Sequence, residues 1–164
     1  MSGQVRNAAG NLGEDIARVR LCALDDDLVP RFQAAFLGEK WEATDLLVVG
    51  RPAGGLRPYC FAQVKATAAP LVETARGGRL PVAATRADVA KLRQTPGPTY
   101  LVGVHLPSER AFVRAVHAGT PDRGIGRIPV AHELTAANLD RLHAEVLNFW
   151  SAAPAPKPTG SRFA

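Results

Sequence analysis

Residues 43–67 read Ala43-Thr44-Asp45-Leu46-Leu47-Val48-Val49-Gly50, then Arg51-Pro52-Ala53-Gly54-Gly55-Leu56-Arg57, then Pro58-Tyr59-Cys60-Phe61-Ala62-Gln63-Val64-Lys65-Ala66-Thr67. Two short runs rich in β-branched and aromatic residues flank a Gly/Pro-rich turn, which predicts a β-hairpin. Side chains alternate along a strand, so Gln63 and Lys65 share one face. A hairpin centred on Gly54 sets Asp45 opposite Gln63, with Cβ atoms about 5 Å apart on that face. A two-residue turn at Gly54-Gly55 instead shifts the pairing by one and sends Asp45 to the other face. In the first register an acid, an amide oxygen and an ammonium converge, a set suited to a metal ion and a water. The alternative reading of these residues is that Asp45 caps a strand, and Gln63 and Lys65 lie on a solvated face.

Upstream, apolar residues at helical spacing predict a helix from Asn11, with Leu12, Ile16, Val19 and Ala23 on one stripe and Ala17, Leu21 and Leu24 on the next. So wide an apolar surface is expected to be largely buried. Glu14 falls on the second stripe, where a carboxylate needs a partner or a metal, or sits as a first-turn Glu favoured by the helix dipole. Asp25-Asp26-Asp27 reads as a solvated turn. Phe32, Ala34 and Phe36 alternate as a short strand, and Trp41 is expected in the core.

Downstream, Leu71–Thr74 and Leu80–Ala83 flank Arg76-Gly77-Gly78-Arg79 as a second hairpin with a basic tip. Thr85-Arg86-Ala87-Asp88 has the pattern of a capping box opening a helix with Val89 and Leu92 inward. Thr95-Pro96-Gly97-Pro98 stops it. Tyr100–Val104 reads as a buried strand, Ala111–Val116 as its partner, and 118–130 as a loop. Thr135 caps a last helix with Leu142, Val146 and Phe149 on one face. The expected organisation is a flexible lead-in at 1–10, one domain at 11–150, and a disordered Pro/Ala-rich tail at 151–164.

The chain has 164 residues, 46% hydrophobic and 21% charged, the composition of one ordinary globular domain. No apolar run reaches the length of a membrane span, and Met1–Arg6 lacks a signal-peptide core, so a cytoplasmic location without membrane contact is expected. Cys22 and Cys60 fit neither a zinc spacing nor a disulfide framework. His105, His117, His132 and His143 show no ligand spacing. Net charge is +5, with Arg strongly preferred over Lys, which favours a polyanionic partner. Arg51, Arg57, Arg76 and Arg79, around the two glycine-containing turns, are the candidate phosphate contacts.

A helix with Gly13-Glu14, a strand with Asp45, a strand with Gln63-Val64-Lys65, a capped helix and a further strand occur in an order that resembles the PD-(D/E)XK nuclease superfamily. The pattern is most similar to that of a family of short bacterial domains of unknown function within it. The resemblance covers roughly residues 10–150. It implies an α/β, restriction-endonuclease-like core, with a central mixed β-sheet flanked by helices in αβββαβ order. It also implies a Mg²⁺- or Mn²⁺-dependent endonuclease or exonuclease that hydrolyses nucleic acid, expected to be DNA. By that resemblance Asp45, the Gln63 amide oxygen and the Val64 carbonyl hold the metal. Lys65 positions the attacking water, and Glu14 is an outer ligand or orients Lys65. Gln63 stands where Glu or Asp is commoner, and Ala43 and Thr44 stand where relatives often carry a second acid. The alternative is a catalytically silent nuclease-like module that binds nucleic acid, a protein partner or a second copy of itself.

Overall fold

The computed structural model describes residues 3–38, 41, 43–75 and 77–152. Helix α1 spans Gly3–Leu21, and strands β1 (Phe32–Phe36), β2 (Leu46–Gly50) and β3 (Tyr59–Thr67) follow. Then come β4 (Arg79–Ala84), α2 (Arg86–Gln94), β5 (Thr99–His105), β6 (Arg110–Val116), β7 (Ile125–Pro129) and α3 (Ala136–Ala152). Five strands make a mixed sheet in the order β1-β2-β3-β5-β6, antiparallel except for the parallel pair β3–β5. The parallel pair needs a crossover, and the segment carrying β4 and α2 provides it. The expected α/β class with a central mixed sheet and flanking helices is what the chain adopts.

Both faces of the sheet carry a core. On one, Ile16, Ala17 and Leu21 of α1 and Leu139, Leu142 and Val146 of α3 pack on Leu46, Val48, Cys60, Ala62 and Val64. On the other, Val89 and Leu92 of α2 and the two-stranded β4–β7 ribbon cover Leu101, Phe112 and Val116 of β5 and β6. A side chain at Gly103 would collide with Leu80, Val82 and Ile128, so the ribbon lies almost on the β5 backbone.

The hairpin reconciles the two registers open to the sequence. Leu46 lies opposite Ala62 and Val49 opposite Tyr59, the register of a turn centred on Gly54. At the tip, however, Ala53 bridges Leu56 around Gly54 and Gly55, both with positive φ, as a two-residue Gly-Gly turn demands. The odd residue is absorbed between Gly50–Pro58 and Ala53–Leu56, where Pro52 and Pro58 offer no N–H to a ladder. The strands therefore keep the first register.

Several expectations are corrected. Helix α1 begins at Gly3, so residues 3–10 are helical rather than a loose lead-in. It is amphipathic: Leu12 and Val19 are exposed, as is Leu24 beyond its end, and among the residues whose burial is described the buried stripe is Gly13-Ile16-Ala17-Leu21. Val72 meets Arg79 only through an isolated bridge; β4 takes its partner from β7, inside the expected loop. Trp41 is 53% exposed, not core. Ser151 and Ala152, expected in the tail, instead end α3; the rest of the expected tail, residues 153–164, lies outside the described residues, as does Arg76. No helix among the described residues is long and apolar enough to cross a membrane.

Candidate active site

The site is built at the end of the β2–β3 hairpin away from its turn. Asp45 immediately precedes β2, and its N–H donates to the Ala62 carbonyl at 2.9 Å. Continuing the strand register one step sets it opposite Gln63. Leu46 and Val64 point into the α1/α3 core, so their neighbours Asp45, Gln63 and Lys65 face the other way, toward α2. The Asp45 carboxylate caps the hairpin: its Oδ2 accepts the Val64 N–H at 2.5 Å.

The organiser of the patch is Asp88, at the third position of α2, a residue the sequence offered only as half of a capping box. That box is present. Asp88 Oδ2 accepts the Thr85 N–H at 2.8 Å, and Asp88 N–H donates to Thr85 Oγ1 at 3.1 Å. The same carboxylate pairs with Lys65, Nζ to Oδ2 at 3.2 Å, and its Oδ1 accepts from Gln63 Nε2 at 3.3 Å. A carboxylate accepts only, so it fixes which end of the Gln63 amide faces it. The amide oxygen is thereby turned away, buried and with no hydrogen-bond partner among the described residues. A buried oxygen without a donor is costly, and a cation beside it removes the cost.

Glu14 enters from α1. A Cβ on Gly13 would stand 2.5 Å from Ala66 Cβ, so only glycine lets this turn of the helix close on β3. Burial, then the nearby Asp45 and Asp15 charges, hold the Glu14 carboxyl above the ordinary range. Burial also raises Asp45, reinforced by Asp88 and opposed by the Val64 N–H and Lys65. Burial works to raise Asp88 too, but the Thr85 hydrogen bonds and Lys65 outweigh it and its carboxyl is lowered. Burial is thus the first cause of both raised carboxyls, and Asp88 is held down by the donors around it.

Among the described residues, no three His, Cys, Asp or Glu side chains gather as a metal-holding group. A divalent ion here would rest on a mixed oxygen set: Asp45 Oδ1, the Gln63 Oε1 orphan and the Val64 carbonyl. Hard oxygen donors with few carboxylates suit magnesium, which keeps several waters. The residues present fit that ion.

The four candidate arginines are not equivalent. Arg51 is paired with the largely buried Asp25 carboxylate while its side chain stays partly exposed. Arg79, at the head of β4, is half-buried and directs Nη1 to the Gly78 carbonyl at 3.4 Å. Arg57 is exposed and forms no ion pair with a described side chain. No family model, no curated protein and no solved structure matches this chain.

Proposed function

We propose that this chain hydrolyses phosphodiester bonds of nucleic acid, DNA first among them, with a divalent metal on a restriction-endonuclease-like core. The observation that carries the proposal is the shared face of Asp45, the Gln63 amide oxygen and Lys65. A single helical acid, Asp88, fixes two of the three. The order of α1, β1–β3, α2 and β5, with β3 and β5 parallel, agrees with that core.

Asp45, Gln63 and the Val64 carbonyl would hold Mg²⁺ or Mn²⁺. When bound, such an ion neutralises charge on the phosphate and makes water a stronger acid. The chain's own residues do the rest. Lys65 Nζ keeps donors beyond its pair with Asp88 and directs one at the attacking water. Asp88 limits where Nζ can go. Glu14, whose carboxyl burial and the Asp45 and Asp15 charges hold above the ordinary range, would serve as an outer ligand or orient Lys65.

The ion pair between Lys65 and Asp88 also favours a second reading, a silent module whose lysine is structural. Cleavage of single-stranded, duplex and branched DNA in Mg²⁺, Mn²⁺ or EDTA separates the two. The enzyme cuts at least one substrate with metal and none with EDTA. A silent module binds without cutting under every condition.

A further inference from the structure

The face that carries Asp45, Gln63 and Lys65 is covered by α2 and the β4–β7 ribbon over β5, β6 and the Gln63-to-Lys65 end of β3. Over β2 and the first half of β3, among the described residues, neither α2 nor the ribbon packs on it, and Phe61 lies beneath Trp41. There Trp41, Leu47, Val49, Arg57, Tyr59 and Phe61 line an open groove of about 360 Å³. The rings are arranged rather than scattered. Trp41 lies nearly parallel to Phe61, at 22° with centroids 6.2 Å apart. Tyr59 meets Phe61 edge-on at 6.0 Å and rests on Trp150 at 4.3 Å. Trp41 is 53% exposed, and an indole so displayed beside two more rings asks for an occupant.

We propose that this groove is a stacking platform for unpaired nucleobases, so that the substrate is single-stranded at the segment next to the scissile phosphate. The inference rests on reading the neighbouring site as a nuclease centre. Three features choose the occupant. First, the platform and the site are continuous: Tyr59, Phe61, Gln63 and Lys65 alternate along one face of one strand, with about 7 Å from each to the next. Second, the charge is right. Among the described lining residues the one charged side chain is the exposed Arg57, so bases find rings while the backbone finds a guanidinium, the pairing used for single strands. Third, a duplex cannot use it. Paired bases are stacked on each other and show only their edges, whereas an apolar ring surface is matched by a free base face.

The test uses the whole chain in EDTA, with a labelled single strand of about 15 nucleotides and the same strand annealed to its complement, read by fluorescence anisotropy. The wild type should prefer the single strand. Trp41→Ala should weaken single-strand binding about tenfold and leave duplex binding unchanged. Phe61→Leu, which keeps the packing under the groove, should weaken it in the same selective way. Arg57→Ala should weaken binding and flatten its salt dependence. Equal affinity for both forms, no measurable binding of either, or an unaffected Trp41→Ala variant would overturn the platform. So would a wild-type dimer that Trp41→Ala dissociates, since the groove would then hold a second copy. Cleavage in Mg²⁺ is scored separately. Trp41-dependent single-strand binding without any cleavage retains the platform and rejects the nuclease. Cleavage that is indifferent to Trp41 does the reverse.

Discussion

Gln63 carries the consequence that the strand pattern alone misstates. Counting charges in the inner shell, Gln63→Glu should strengthen metal binding, because an amide oxygen becomes a carboxylate. But Gln63 Nε2 donates to Asp88 Oδ1, and the substitution sets two carboxylates against each other. Gln63→Glu alone is therefore expected to lower stability and gain little activity. Adding Asp88→Asn restores a donor between the two positions and should recover both. A double-mutant cycle on thermal stability should give a coupling of about 1 kcal/mol; additive effects would mean the two side chains do not meet. Asp88→Ala alone frees Lys65 and is expected to reduce kcat about tenfold or more while oligonucleotide affinity holds. A loss of affinity with kcat intact would make Asp88 a structural cap only. Asp45 supplies a pH test. Its folded pKa is raised, chiefly by burial, so the folded state binds the proton more tightly and ionisation costs stability above that pKa. The cost vanishes as pH falls through the raised value toward the unfolded one. Asp45→Asn, which can still accept the Val64 N–H, should then melt a few degrees above wild type at neutral pH, and the gap should close in acid. A gap that is constant with pH would show that the carboxylate is not penalised.

At the scale of elements, what was legible was what local chemistry dictates. Alternation and turn residues located β2 and β3, the capping box located α2, and even the competing registers of the hairpin each occur, one in the ladder and one at the tip. What was hidden depended on distant partners. The strand β7 escaped because Ile125 and Ile128, both buried, are three apart and show no alternation. The structure brings both inward by a register break between Pro81 and Ala84 of β4. The three apolar residues Leu12, Val19 and Leu24 widened the expected buried face of α1, though the sheet covers only one stripe. Asp88 was hidden by its own cap, since a first-turn acid already has a local explanation. The Gly13 contact makes a prediction of this scale. Gly13→Ala must push α1 away from Ala66 and carry Glu14 with it, for about 1–3 kcal/mol of lost stability. Ala66→Gly in the same chain should restore the melting temperature. No rescue would place the strain elsewhere.

Across the whole molecule, the sheet divides the work between its faces. One is sealed by α1 and α3 and supplies a continuous core. The other is packed by α2 and the β4–β7 ribbon over β5, β6 and the end of β3, and at the edge of that cover the aromatic groove runs into the polar patch of Asp45, Gln63 and Lys65. Cohesion and chemistry are thus separated by the alternation of β2 and β3. The claim on which the functional account turns is that this polar patch takes a divalent cation. Calorimetric titration of Mg²⁺ into the protein holding a phosphorothioate single strand, beside the same titration of Asp45→Asn, tests it most directly. With a single carboxylate and an amide in the inner shell, binding should be weak without the strand and tighten with it, and Asp45→Asn should abolish the heat. Heat of Mg²⁺ binding that survives in Asp45→Asn, or none in the wild type with the strand bound, would contradict it.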